Sequence, residues 1–169
     1  MIMQEKFQEL NLLMEKGFWA EAIELVYACP ALVKYCYPGD ESRGVLSDAV
    51  CYDGASELVR TMLKFGANPN SQCNCGSTPL GNAIYSGHRY GLDNFENIKL
   101  LVSEGAGLSL LDDTGNPPLH SAVSEGRRDV VELLLSAGAD PSQKNLYGDD
   151  IWQWMDWLKD WRMKDLFPK

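Results

Sequence analysis

The sequence predicts an all-α fold, a solenoid of stacked helix-turn-helix repeats, and three observations predict it. The first is the stretch Pro117-Pro118-Leu119-His120-Ser121-Ala122, Gly126, Val130-Val131-Glu132-Leu133-Leu134-Leu135 and Gly138-Ala139-Asp140, which reads as two short helices punctuated by glycine. The second is that weaker copies precede it. Ser77-Thr78-Pro79-Leu80-Gly81-Asn82-Ala83 leads to Gly87-His88, Ile98-Lys99-Leu100-Leu101 and Gly105-Ala106, and a fainter copy runs from Val45-Leu46-Ser47-Asp48-Ala49 through Gly54 and Leu58-Val59-Arg60-Thr61-Met62-Leu63 to Gly66-Ala67-Asn68. The third is spacing: the Gly-Ala pairs at Gly66, Gly105 and Gly138 lie 39 and 33 residues apart, one regular period and one carrying a six-residue insertion. A unit of this size cannot bury its apolar face alone, so copies imply stacking.

Taken in order, residues 3–16 form a predicted helix with Phe7, Leu10, Leu13 and Met14 on one side, ended by Gly17. Trp19, Ala22, Ile23 and Val26 repeat the helical spacing up to Ala28, with Pro30 beyond the end. This pair lacks a Thr-Pro start and is expected to be an N-terminal cap with a polar outer face. In the better copy Thr78 accepts a backbone N–H as N-cap, and Pro79 loses only a donor that has no partner in the first turn. Leu80 and Leu119, with Ala83 and Ala122 three residues on, give each first helix an apolar side. Gly87 and Gly126 are expected to reverse the chain between helices, and Gly66, Gly105 and Gly138 to end the second helices in a left-handed conformation. The insertion 88–96 is expected as a loop, with Tyr90 and Phe95 docking on the array or forming a secondary contact. Asp150 is expected to cap a helix from Ile151 to about Leu166. Its Trp152, Trp154, Trp157 and Trp161 point several ways at about 100° per residue, so some cover the open end of the core while Trp157 is partly exposed.

Composition narrows the function. A net charge of −9 and a pI near 4.6 argue against nucleic acid, which requires a basic face, and favour a basic protein partner. The five cysteines, Cys29, Cys36, Cys51, Cys73 and Cys75, are an odd set without Cys-x-x-Cys spacing; reduced thiols are expected, with no metal site and no cofactor. The segment Met1-Ile2-Met3-Gln4-Glu5-Lys6 lacks a secretory pattern, and no apolar run approaches the ~20 residues of a membrane span. The expectation is a soluble, cytoplasmic protein, monomeric when free.

The residues 117–140 resemble one ankyrin repeat nearly end to end, down to a degenerate form of the Thr-Pro-Leu-His-x-Ala box. The resemblance implies an ankyrin-repeat solenoid with projecting hairpins, about four repeats plus a C-terminal capping helix. On this reading residues 1–169 are one domain: an N-terminal cap over 1–38, internal repeats over 39–71, 72–111 and 112–144, and a C-terminal cap over 145–169. It also implies that His120 is a structural histidine bridging repeats and that His88 belongs to a Gly-His turn.

Nothing in the sequence assembles a catalytic group. The Asp112-Asp113 and Asp149-Asp150 pairs lack the contrasting environments that divide acid from base, and no phosphate loop, Ser elbow or metal-spaced His cluster occurs. The chain is therefore expected not to be an enzyme. Ankyrin-like arrays bind proteins on the concave face of hairpin tips and first helices. Carried onto this chain, that face comprises Asp40, Glu41, Arg43, Asn74, Ser77, Asp113, Thr114, Asn116, Tyr147 and Asp149 from the hairpins, Tyr52, Asp53, Tyr85 and Glu125 from the helices, and Trp157 beyond them. The mixture of carboxylates and Tyr suits a basic partner. The expected function is a binding protein that neutralises such a partner, as immunity proteins and antitoxins do; the alternative is a generic adaptor.

Overall fold

Phe7, Leu10 and Met14 recur at helical spacing and are buried together on one side of α1 (Ile2–Glu15), which packs against α2 (Trp19–Ala28) through Ala22 and Val26. The computed structural model describes residues 2–37, 40–90 and 93–167; the side chains of 37, 40–43 and 88–90 also lie outside that description. After α2 a 3-10 turn over Pro30–Lys34 buries Leu32 and Val33, and two short antiparallel strands follow, β1 (Cys36–Tyr37) and β2 (Asp40–Gly44), with Cys36 opposite Gly44. The remaining elements are helical: α3 (Leu46–Ala49), α4 (Ser56–Lys64), α5 (Pro79–Tyr90), α6 (Phe95–Ser103), α7 (Pro118–Ser124), α8 (Arg128–Ser136) and α9 (Ile151–Leu158).

The helices stack in two rows. One row runs α3, α5, α7, α9, and the other α2, α4, α6, α8, each helix packing on the next in its row. Between them lies a continuous core in which Leu58, Met62, Leu80, Ile84, Ile98, Leu101, Leu119 and Leu134 are fully or almost fully buried. The small Ala83 and Ala122 let the inner helices approach closely, and both are wholly buried. Gly66, Gly105 and Gly138 end the outer helices at φ of 85°, 83° and 94°, the left-handed conformation that the sequence predicts.

Three expectations need correction. Gly87 does not reverse the chain: α5 runs through it to Tyr90, so the insertion begins as helix rather than loop. The glycine is needed for space, because a Cβ there would collide with the Arg127 guanidinium and the Asn94 carboxamide. Second, α9 stops at Leu158, where Lys159 takes a left-handed φ of 56°. The chain then turns back, and Met163 and Phe167, on either side of a 3-10 turn over Lys164–Leu166, are buried in the core cluster. Arg128 ties this return segment to α8 through Asp165. The open end is thus closed by half of the expected helix and a folded-back tail.

The third correction concerns Cys73 and Cys75, expected as reduced thiols but joined here as a disulfide, while Cys29, Cys36 and Cys51 remain thiols. A purified, air-oxidised chain, denatured without reductant, should therefore titrate three thiols, and five after reduction; five before reduction would contradict the pairing.

Polar side chains do part of the stacking. The short α3 leaves the carbonyls of Val50 and Tyr52 without a helical partner, and the buried Asn97 donates to both at 3.1 Å. Asn94, at the end of the insertion, donates to Ala83 O at 2.6 Å and to Ser86 Oγ at 2.9 Å. Asn97 thus satisfies carbonyls of the preceding repeat, and Asn94 a carbonyl within its own. Phe95 opens α6 half-buried against the core, with Lys99 Nζ 5.3 Å from its ring centre.

Candidate functional site

Three hairpins project before α5, α7 and α9, and one local rule builds them. In each, the backbone N–H of the first residue donates to the carbonyl of the fifth, and the fourth is a glycine whose N–H donates to the carbonyl of the first and closes the turn: Cys73 with Ser77 and Gly76, Asp112 with Asn116 and Gly115, Asn145 with Asp149 and Gly148. In the second hairpin Asp112 is buried and accepts from Thr114 N at 2.9 Å, Thr114 Oγ1 at 2.6 Å and Asn116 N at 3.0 Å; its other oxygen accepts from Ser121 Oγ at 2.6 Å. Asn145 does the same in the third, accepting from Tyr147 N and Asp149 N at 3.0 Å. In the first hairpin a sulfur takes that place, Cys73 Sγ accepting from Ser77 N at 3.2 Å.

The hairpins also stack on each other. Asn145 Nδ2 donates to Asn116 Oδ1 at 3.1 Å and Leu146 N–H to Gly115 O at 2.7 Å. Gly115, at a φ of 78°, has no room for a Cβ because Leu146 lies against it. Tyr85 on α5 reaches the second hairpin, its hydroxyl 3.1 Å from Thr114 Oγ1. Thr114 has spent its single proton on Asp112, so Tyr85 is the donor in that bond. Burial raises the Tyr85 pKa, so the phenol stays protonated for this role.

His120 lies wholly inside α7, and its Nε2–H donates to Asp149 O at 3.0 Å, joining this repeat to the last hairpin as the resemblance implies. Its Nδ1 is buried with no hydrogen-bond partner among the described residues. Burial lowers its pKa below the usual 6.5, opposed by the Asp149 carbonyl and the nearby Asp150 carboxylate. The folded chain therefore holds a neutral imidazole, whereas the unfolded chain takes up a proton as pH falls through about 6.5. Stability should be flat above that value and decline below it, by at most about 1.4 kcal/mol per pH unit, until the folded pKa is passed. Thermal melts of the wild type and His120→Gln between pH 7.5 and 5.5 check this; equal slopes would contradict it.

The sequence-predicted site residues fall into groups. Tyr85, Thr114, Asn116, Tyr147, Asp149 and Trp157 come together at the last two hairpins, although Asn116 is only 5% exposed and its amide is engaged with Thr114 and Asn145. Tyr147 and Trp157 are 70% and 68% exposed. Asp113 is exposed beside them, and Glu125 is half-buried at the end of α7. Tyr52 lies apart, half-buried with its ring centre 5.9 Å from that of Trp19, and its pKa is raised by burial and then by Glu15 and Asp48. Asp53 and Asn74 are exposed elsewhere, and Ser77 is turned to Asn82. Asp40, Glu41 and Arg43 lie in β2 with side chains outside the described residues.

Sequence reasoning missed Trp154 as part of this region. It is nearly buried, donates its Nε1–H to Ser124 Oγ at 2.9 Å and stacks on Trp157 at 5.0 Å and 11°. The three-residue spacing of these tryptophans on one helix was the available signal. Among the described residues no group of three or more His, Cys, Asp or Glu is placed to hold a metal ion, and no helix is long and apolar enough to cross a membrane.

The mouse protein phosphatase 1 regulatory subunit 27 is 42% identical to this chain over 74 residues, 44% of each. An ankyrin repeat protein of variola virus is 25% identical over 137 residues, 81% of this chain and 22% of that protein. The mouse 2-5A-dependent ribonuclease is 46% identical over 52 residues, 30% of this chain and 7% of the enzyme. The chain thus spans less than half the length of these relatives. The family model described as ankyrin repeats in three copies matches residues 46–145, from α3 through the first two hairpins and α8 to the start of the last hairpin. With the glycine-ended helices, stacked hairpins and repeat-bridging His120, this match shows that the chain belongs to the ankyrin-repeat family.

Proposed function

We propose that this protein is a non-catalytic module that binds and neutralises a basic protein partner through its hairpin tips and inner helices, in the manner of an immunity protein or antitoxin. Ankyrin repeats are protein–protein interaction modules, and the finer reading rests on one observation. An acidic chain of net charge −9 gathers exposed Tyr147, Trp157 and Asp113, with the half-buried Asp149, around its last two hairpins. Aromatic anchors beside carboxylates suit Lys and Arg, the aromatics supplying affinity and the charges speeding encounter. The groups that acid–base chemistry would need are otherwise occupied: Asp112 holds a hairpin, Asp150 caps α9, His120 bridges repeats, and the Cys73 and Cys75 sulfurs are bonded to each other. We read the protein as a cytoplasmic monomer when free.

A second reading, a regulatory or adaptor subunit that leaves its partner active, is favoured by similarity to a protein named as a regulatory subunit of protein phosphatase 1. Capture from the native host in an ionic-strength series, followed by light scattering and an activity assay of the captured partner, separates the two. A salt-sensitive 1:1 complex with an inactivated basic partner supports neutralisation. Two partners held at once with activity intact would replace it with the adaptor.

A further inference from the structure

Between the last hairpin and α9 lies a groove of about 450 Å³ lined by Thr114, Asn116, Tyr147, Asp149, Trp154 and Trp157. Its floor is fixed: Trp154 is held by Ser124 and packed against the His120 ring at 6.0 Å, and the largely exposed Trp157 lies nearly parallel on Trp154. Its wall carries one uncommitted charge. The Asp149 backbone is pinned through its N–H to Asn145 Oδ1 and through its C=O by Asn145 N and His120 Nε2, while its carboxylate has no cationic partner among the described residues. On the α9 side, Asp150 is engaged as the cap of the helix and Asp156 with Lys159 at 3.3 Å; Asp113 is exposed beyond the groove lining. A flat aromatic platform beside an unpaired carboxylate on a pinned backbone lacks a planar cation.

We infer that this groove seats an arginine side chain of the partner, the guanidinium stacked on Trp157 and paired with Asp149. Guanidinium is planar and weakly hydrated, stacks on indole and pairs with a carboxylate through two N–H groups. An ammonium is a strongly hydrated point charge and gains less from a flat face. Anionic ligands would meet the net charge of −9. This inference rests on the reading of the chain as a binder of basic proteins.

The test uses capped pentapeptides Gly-Gly-X-Gly-Gly with X as Arg, Lys or citrulline, titrated into the full chain and followed by the tryptophan indole N–H resonances. Arg should shift Trp154 and Trp157 saturably, Lys should bind about fivefold more weakly, and citrulline, which keeps the shape without the charge, should not saturate. Trp157→Ala and Asp149→Asn should each weaken Arg binding about fivefold. Equal response to Arg and citrulline, equal shifts at Trp19 and Trp161, or unchanged binding in Trp157→Ala would overturn it. Hexa-arginine and hexa-lysine distinguish the two levels. Salt-sensitive binding of both that ignores Trp157→Ala removes the arginine seat and leaves the basic-partner reading standing; no binding of either removes both.

Discussion

Leu119→Asp is expected to cost about 4 kcal/mol or more, enough to lower the melting temperature by on the order of 10 °C or to unfold the repeats around it. Leu119 is 2% exposed at the start of α7, between α5 and α9 and against α8. The substitution removes apolar burial worth about 2 kcal/mol and places a carboxylate where none of the hydrophobic neighbours can solvate it. Leu119→Ala, which leaves only a cavity, should cost about 3 kcal/mol. Thermal melting of both variants checks the pair, and an unchanged transition in Leu119→Asp would contradict the packing.

The second large effect distinguishes two identical neighbours. Asp112→Ala removes the acceptor for Thr114 N–H, Thr114 O–H, Asn116 N–H and Ser121 O–H in a buried site, and should destabilise by about 3 kcal/mol. Asp113, one residue on, is exposed at the tip, and Asp113→Ala should stay within about 0.5 kcal/mol. Asp112→Asn keeps one oxygen and can donate to Ser121, so about 1 kcal/mol is expected. Urea denaturation of the three variants measures the order, and equal midpoints for Asp112→Ala and Asp113→Ala would contradict the hairpin description.

The contrast shows what the chain discloses in its sequence. The sequence separates Asp113, expected at the binding face, from Asp112, expected only to form the turn, but it takes the fold to show that Asp112 reaches inward to Ser121. The repeat itself was legible because its parts carry strong local chemistry: Pro at a helix start, Ala where helices touch, Gly where φ turns positive. Gly87 misled because the same residue type serves two purposes, a turn or room for a neighbour, and the neighbour here is Arg127 in the next repeat. The early end of α9 was hidden because Lys159, not glycine, adopts the left-handed conformation. Spacing gave no sign of the Cys73–Cys75 bond, since two cysteines separated by a single residue resemble neither a disulfide framework nor a complete metal site.

At the candidate site, the exposure of Trp157 was legible from helix geometry, since Trp152, Trp154 and Trp157 on one short helix cannot all share a face. The inward turn of Asn116 was not, because its partner Asn145 lies 29 residues away and becomes adjacent only when the hairpins stack.

Hydrogen exchange of the complex with its captured partner tests the central claim most directly, because protection locates the binding face without mutation. The account predicts slowed exchange over residues 111–116 and 145–149 and in α9, with α4, α6 and α8 unchanged. Protection confined to α4, α6 and α8 would place the partner on the opposite face and contradict it.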